Sequence, residues 1–366
     1  MPGGFLTGSQ YASLALYLVI GAILASNGAT EIGRFYGVKK SLLYGVLAIA
    51  IGMGIMGITP FVSNQDLDFR YPSLVISQFF LGMGVGAILT SANAFLVLFM
   101  FKRTAMLLTG MYSCITLGSS SAPFFIGKFS GFWNWGVFPT IIACLFLILL
   151  LVSYWQLPHI SNPYPISREP LKVIFKKLPG FFWVFAIAAF LYAICENGLV
   201  AWSTIFLHLE KGVKNEEATE SLAIFWGVVT IAELSICGLV SKFSPRFIYR
   251  LLPLFLIIAC FGMVFASGAN QSLLFFVTGA LGVSAFFALT VNFAERRFHE
   301  LAEFVSGTMV LGYFLGTVVG SLATGFFYEI LHWPLAMVFV AIGCIAILLT
   351  PLNYILSRPR ATSSNL

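Results

Sequence analysis

Residues 133–155 read WNWGVFPTIIACLFLILLLVSYW and contain no charged side chain. About 20 apolar residues let a helix cross the hydrocarbon core of a bilayer, so this stretch predicts a transmembrane helix. The whole chain has the same character, because 59% of its 366 residues are hydrophobic, 9% are charged and the mean hydropathy is +0.94. Soluble domains carry about 25% charged residues, and β-barrel strands alternate apolar with polar positions. The composition therefore excludes soluble, disordered and β-barrel proteins and predicts an all-α polytopic membrane protein.

Eleven apolar stretches are long enough to span the membrane. They are 12–30, 41–62, 75–100, 105–127, 133–155, 181–207, 221–241, 248–267, 272–292, 304–328 and 334–356. With the N-terminus outside, all but four of the 20 Lys and Arg residues fall on the inner side, and those four are Arg70, Lys128, Lys211 and Lys214. Because Lys and Arg concentrate in cytoplasmic loops, we expect an outer N-terminus and a cytoplasmic C-terminus. The expected location is a bacterial inner membrane or another plasma membrane.

The two halves of the sequence resemble each other. Gly118 recurs as Gly316 and Trp135 as Trp333, in both cases 198 residues later. This constant offset indicates a duplicated bundle, and a proline-rich stretch between the copies has the composition of a linker. The predicted parts are an N-terminal bundle of five spans (1–156), a cytoplasmic linker (157–180) and a C-terminal bundle of six spans (181–366).

The loop after the first span resembles a known pattern. Residues 30–40, TEIGRFYGVKK, are similar to the loop G-x-x-x-D-R-x-G-R-K of the major facilitator superfamily, and residues 238–246, GLVSKFSPR, form a second, degenerate copy. The residues that carry the resemblance are Gly37, Lys39 and Lys40 in the first half and Gly238, Lys242 and Arg246 in the second. In the family this loop and its acid hold neighbouring helix ends together during the conformational cycle. Arg34 and Lys242 replace the acid here, so the resemblance implies the turn and the positive charge without it.

The resemblance also implies a major facilitator fold of two six-helix bundles. Only eleven spans are predicted, so we expect the chain to begin at the second of the usual twelve helices. Residues 118–127, GSSSAPFFIG, are similar to the family's glycine–proline motif on the fifth helix. Glu196 followed by Trp202 is similar to a seventh-helix pattern of the fucose permease-like sugar–proton symporters, whereas Leu89 stands where those symporters carry Glu. The branch resemblance implies sugar–proton symport.

Two acids lie deep inside predicted spans. Charges within a bilayer cost at least about 2.5 kcal/mol each on insertion scales, so they indicate function. Glu196 and Glu233 fall near the same depth on successive antiparallel spans, about 16–18 Å from the outer surface at 1.5 Å per residue. Two carboxyl groups buried side by side do not both ionise readily, so the pair can take up and release protons. We predict both as proton-coupling residues; the alternative is that each is protonated and serves helix packing.

Four further residues are candidate solute contacts. Asn93, Asn197, Trp202 and Asn292 lie in or near the spans and could bind a hydroxylated solute through amide hydrogen bonds or ring stacking. Helix-to-helix hydrogen bonds and aromatic packing are the alternative roles, because both are common in membrane bundles.

The sequence lacks the motifs of enzymes and pumps. It has no phosphate-binding G-x-x-x-x-G-K-[ST] loop, and the stretch 299–303, HELAE, ends in Glu where a zinc motif needs His. We therefore expect no catalytic residue, no metal, no cofactor and no nucleic-acid partner. The expected partners of this monomer are a small-molecule solute, protons and the lipid bilayer.

The predicted function is secondary active transport of a small polar solute, a sugar or similar metabolite, by proton-coupled alternating access. A multidrug-type efflux antiporter is an alternative that the glycine–proline motif favours. A non-transporting membrane sensor or an inactive truncated remnant is a second alternative, which the missing first helix favours.

Overall fold

The computed structural model describes residues 8–62, 67–99, 103–129, 134–157, 178–239 and 242–358. These residues are helical almost throughout, and none of them lies in a β-strand. The α-helices of the described residues are α1 (Gly8–Tyr36), α2 (Val38–Val62), α3 (Leu67–Phe99), α4 (Thr104–Phe129), α5 (Val137–Gln156), α6 (Gly180–Leu209), α7 (Asn215–Leu239), α8 (Pro245–Phe265), α9 (Ala269–Val283), α10 (Phe286–Arg297), α11 (Ala302–Gly325) and α12 (Leu335–Leu356). A 3₁₀ turn at His299–Leu301 precedes α11, and a π-helical turn at Phe326–Ile330 follows it.

Ten helical segments of the described residues are long and apolar enough to cross a membrane. Each corresponds to one of the predicted spans, and the remaining predicted span, 105–127, is the Ser-, Thr- and Gly-rich helix α4. α5 shows the composition of a lipid-facing surface, because its side chains Leu145, Ile148 and Leu151 are all more than half exposed. The all-α polytopic fold is confirmed, and the protein is an integral membrane protein.

One predicted span is not a continuous helix. The stretch 272–292 was expected to form a single helix, but the chain breaks at Ser284 and Ala285, between α9 and α10. Ala285 has a φ of 53°, in the left-handed region that residues other than glycine seldom adopt. Neither proline nor glycine occupies the break, so the sequence contains no local signal for it.

The chain divides into two compact units. The first unit consists of Met1–Leu98, Phe124–Glu169 and Glu300–Leu315, and the second of Phe99–Pro123, Pro170–His299 and Gly316–Leu366. Each unit therefore contains a segment from the other half of the sequence: most of α4 groups with the second unit, and the first half of α11 with the first. The division into bundles 1–156 and 181–366 stays a prediction, and most of the predicted linker lies outside the described residues.

Glycine contacts support the internal repeat. In the first unit, a Cβ at Gly84 on α3 would lie 2.8 Å from backbone atoms of α2. In the second unit, Gly282 on α9, which follows Gly84 by the same 198 residues, is equally close to α8, where a Cβ would lie 2.7 Å from the backbone. The pair Gly118 and Gly316 is less alike, since no atom lies within 4 Å of a Cβ at Gly118 whereas Gly316 packs tightly against α6. Helix-to-helix contacts thus repeat at one pair of matched glycines and differ at the other.

Candidate functional site

The two intramembrane acids come together in the second unit. Glu196 on α6 and Glu233 on α7 are 9% and 4% exposed, and their carboxyl groups are close enough to interact electrostatically. Both lie in apolar parts of their helices, since α6 and α7 each supply one of the membrane-spanning segments. The two acids therefore lie near one another in this unit, and their role as proton-coupling residues stays a prediction.

Glu233 is surrounded by hydrogen-bond donors. The hydroxyl of Thr116 on α4 donates to Glu233 Oε2 at 2.6 Å, and the Thr230 hydroxyl, one turn earlier on α7, donates to Thr116 Oγ1 at 3.2 Å. The backbone N–H of Ala285 donates to the same carboxylate. Hydrogen bonds from a hydroxyl and an amide are interactions that a charged carboxylate can accept.

The helix break supplies the amide donor. An N–H in the interior of a continuous helix is bonded to the carbonyl four residues earlier, whereas the break frees that of Ala285 to bind Glu233. Two side chains bind backbone carbonyls at the C-terminal end of α9, just before the break. Tyr192 on α6 donates to the Val283 carbonyl at 2.8 Å, and Ser284 donates to the Leu281 carbonyl at 2.7 Å. The backbone at the break is therefore hydrogen-bonded to α6 and α7, and its geometry is fixed next to the acid pair.

The Thr116 hydroxyl has two possible acceptors for its single proton. Besides Glu233 Oε2, it lies 3.2 Å from the carbonyl of Ser113 on its own helix. When Glu233 is ionised, the hydroxyl can donate to the carboxylate, and when Glu233 is protonated it can turn to Ser113 and accept from the acid. Thr230 has a second acceptor as well, the carbonyl of Trp226 at 2.9 Å. The hydroxyl pair can therefore satisfy both protonation states of the acid.

The candidate solute contacts are not all gathered at this site. Asn93 is fully buried in the first unit, while the other three lie in the second. Asn197 donates to the carbonyl of Thr317 on α11 at 2.9 Å, which is a helix-to-helix hydrogen bond. Trp202 packs against Tyr328, with 5.8 Å between ring centroids. These contacts support the packing role for Asn197 and Trp202 and leave their solute contact a prediction.

Asn292 on α10 differs from the other amides. Its side chain is fully buried, and neither its oxygen nor its nitrogen has a hydrogen-bond partner among the described residues. Leaving a buried polar group unpaired costs about 1–3 kcal/mol, so such an amide is well suited to bind a water or a solute hydroxyl. It lies seven residues after Ala285, and residues at this spacing share one helix face.

The predicted loop residues of the first half fix a helix end. Gly37 has a φ of 89°, which explains why glycine is required between α1 and α2. The Lys39 ammonium donates to the carbonyls of Tyr154 and Leu157 at the C-terminus of α5, at 2.8 and 2.6 Å. Lys40 instead lies over the ring of Tyr36, 5.3 Å from its centroid.

The second-half copy uses a residue that the sequence comparison did not single out. Lys242 and Arg246 have exposed side chains, and Gly238 is likewise exposed. Arg250, four residues after Arg246, donates to Ser357 Oγ at 2.8 Å and lies over the Tyr354 ring, 4.4 Å from its centroid, at the end of α12. Arg250 on α8 and Lys39 on α2 thus both contact the C-terminal end of another helix, although Arg250 is the sixth residue of its helix and Lys39 the second.

The described residues contain no group of three or more His, Cys, Asp or Glu side chains placed to hold a metal ion. Glu196 and Glu233 offer the chemistry of protons and hydrogen bonds at two carboxyl groups. Such a site can bind and release protons and can accept hydrogen bonds from a hydroxylated molecule.

Comparison with protein families gives one match. A family model described as Major Facilitator Superfamily matches residues 5–309. Comparison with curated proteins finds no significant match.

Comparison with solved structures gives the same fold. The crystal structure of a variant of the E. coli fucose:proton symporter FucP is similar with a TM-score of 0.80 and 14% sequence identity, over 96% of this chain and 90% of that one. The proton:xylose symporter XylE bound to 6-bromo-6-deoxy-D-glucose has a TM-score of 0.77 and 14% identity, over 96% of this chain and 88% of that one. At this level of identity the likeness concerns the fold.

Proposed function

This chain belongs to the major facilitator superfamily, a family of transporters, and we propose that it moves a small polar solute by proton-coupled alternating access. The observation that carries the proposal is the buried pair of Glu196 and Glu233, with hydroxyl and amide donors around Glu233. A proton-coupled carrier needs an acid that is ionised in one part of its cycle and protonated in another. The two hydrogen-bonding arrangements of Thr116 meet that need, because each satisfies one form of the acid.

Glu233 takes the leading role in this proposal, with Glu196 as its partner. The carboxyl groups interact, so a proton on one lowers the cost of a negative charge on the other. Solute binding near the pair can then change the protonation of both. The sequence resemblance concerns Glu196, whereas the donors that surround Glu233 favour Glu233.

We propose a sugar or a similar hydroxylated metabolite as the solute. Two solved structures with the same fold are those of a fucose:proton and a proton:xylose symporter. The buried amide of Asn292 has a donor and an acceptor to offer a hydroxyl group, and Asn93, Asn197 and Trp202 are the further proposed contacts. The protein then acts as a monomer with its N-terminus outside, and the bundles 1–156 and 181–366 rock about the bound solute.

The experiment is uptake into proteoliposomes with an imposed pH gradient. Radiolabelled fucose and xylose are supplied outside, and wild-type protein is compared with Glu233→Gln and Glu196→Gln. We expect the gradient to drive uptake in the wild type and both variants to lose the response to the gradient. Glu217→Gln is the matched control, since Glu217 lies on the same helix as Glu233 but is exposed and 3.9 Å from Lys214.

Other outcomes would contradict parts of the proposal. Gradient-driven uptake that survives in both variants rules out the acid pair as the coupling site. Exchange of lipophilic cations for protons, with no sugar uptake, supports an efflux antiporter. Sugar binding without flux supports a membrane sensor.

A further inference from the structure

The Thr116–Glu233 hydrogen bond joins helices from different halves of the sequence. Thr116 lies on α4, before the proline-rich stretch, and Glu233 lies on α7, after it, yet both belong to the second compact unit. We infer that Thr116 is the positioning residue that makes proton binding at Glu233 depend on the docking of α4 against α7. The inference rests on the proposed function and adds a residue and a structural state to it.

The contact between α4 and α7 extends over several turns. Cys237 Sγ is 3.3 Å from the carbonyl oxygen of Met106, and a Cβ at Gly110 would lie 3.5 Å from the same sulfur. Thr116 contacts Glu233 one turn closer to the N-terminus of α7 than Cys237. Both the Cys237–Met106 contact and the Thr116–Glu233 hydrogen bond need α4 to lie against α7, so we expect the hydrogen bond to form only when the two helices are docked.

Few groups besides Thr116 influence proton binding at Glu233. Among the described residues, Glu196 on α6 is the titratable group that acts on Glu233, the α9–α10 break contributes the Ala285 amide, and α4 contributes the Thr116 hydroxyl, which does not titrate in this range. The Ala285 amide belongs to the backbone of the second half of the sequence, whereas the Thr116 hydroxyl lies on α4, a helix of the first half. The Thr116 hydroxyl is therefore the donor that is lost if α4 moves away from α7.

Loss of that donor links proton binding to helix movement. A hydroxyl that donates to a carboxylate stabilises the ionised form, so docked helices favour ionised Glu233 and separated helices favour protonated Glu233. Linkage makes the effect reciprocal, and protonation of Glu233 must favour separation of α4 from α7 by the same factor. This gives the carrier a physical route from a proton to a conformational change.

Infrared spectroscopy of the purified protein tests the donor directly. All samples carry Glu196→Gln, and the Glu233 band is identified as the carboxyl band that disappears when Glu233→Gln is added. The intensity of this band is followed with pH in protein that keeps Thr116 and in the Thr116→Val and Thr116→Ser variants. A hydrogen bond to a charged group corresponds to a shift of about one pH unit or more. We expect Thr116→Val to raise the pH of half-protonation by this amount and Thr116→Ser, which keeps the hydroxyl, to restore it.

Thr109→Val is the matched control. Thr109 is buried on the same helix and donates to the carbonyl of Ala105 at 2.8 Å, so its replacement removes a hydroxyl of α4 without touching Glu233. An unchanged midpoint in Thr116→Val, or an equal shift in Thr109→Val, overturns the inference. The band needs no solute, so these outcomes are separate from the uptake experiment: absence of gradient-driven uptake would overturn the proposed function instead.

A cross-link tests the dependence on docking. A cysteine at Gly110 can reach Cys237, so oxidised Gly110→Cys holds α4 against α7 while Thr116 remains intact. We expect the Glu233 band to reach half intensity at a lower pH in the oxidised protein than after reduction. Equal midpoints in the two states would overturn the inference, and this measurement decides the question even if Thr116→Val does not fold.

Discussion

The left-handed residue at the helix break makes a quantitative prediction. Ala285 is 2% exposed and has a φ of 53°, while Ala294 is fully buried in the helical part of the same span. Replacing each with glycine removes one buried methyl group in both cases. The two variants differ in backbone conformation, and we expect them to differ in stability for that reason alone.

The magnitudes follow from the two conformations. A buried methyl group contributes about 0.8 kcal/mol, and glycine adds about 0.5–1 kcal/mol of unfolded-state freedom. At Ala285 these losses are offset by relief of the left-handed strain, about 1–2 kcal/mol for an L-residue, so the net change is close to zero. At Ala294 there is no strain to relieve, and the helix propensity of glycine leaves a loss of about 2 kcal/mol.

The assay is unfolding of each purified variant in mixed micelles, titrated with SDS and followed by tryptophan fluorescence. We expect Ala294→Gly to unfold at clearly lower SDS and Ala285→Gly to unfold close to the wild-type midpoint. Equal losses for the two variants would refute the reasoning, because they would mean that residue 285 is an ordinary helical residue. The Ala285 amide would then be occupied within the helix and unable to bind Glu233.

Three further predictions concern stability elsewhere, each measured by the same titration. Lys39→Met removes two charged hydrogen bonds to the end of α5 and should cost about 1–2 kcal/mol, whereas Lys40→Met should cost little; equal effects would contradict the helix-end contact. Gly82→Ala forces a methyl group against the backbone of α1 and should cost about 1–3 kcal/mol, while Gly54→Ala, with open space around it, should be neutral or stabilising. Asn197→Leu breaks the bond to α11 and should cost about 1 kcal/mol; no loss of stability would mean that its amide is free for a solute.

The sequence predicted the membrane spans well because their signal is local. In lipid, the backbone N–H and C=O groups of a stretch of 20 or more apolar residues must form hydrogen bonds within the protein. An α-helix is the structure that forms them within one segment. The sequence could also predict that Glu196 and Glu233 lie at a similar depth in the membrane, since the depth of each acid follows from its distance to the nearest helix end. Both inferences needed only residue spacing along single helices.

The partners of Glu233 could not be predicted in this way. Thr116 precedes it by 117 residues, and nothing in the composition of α4 marks one of its several hydroxyl residues as the donor. The amide of Ala285 becomes available through a left-handed backbone conformation, which an alanine in the sequence does not predict. Tertiary contacts decide both features, and sequence periodicity does not contain them.

Lys39 on α2 and Arg250 on α8 each bring a positive charge to the end of another helix. The C-terminal end of a helix carries unpaired carbonyls and a partial negative charge, so a cation is the group that stabilises it. Lys39 supplies that cation to α5, and Arg250 supplies one at the end of α12 through Ser357 and Tyr354. Neither contact involves a carboxylate, so these two helix-end contacts do not depend on an acid in the loop. Helix-end binding therefore explains the positive charges of Lys39 and Arg250.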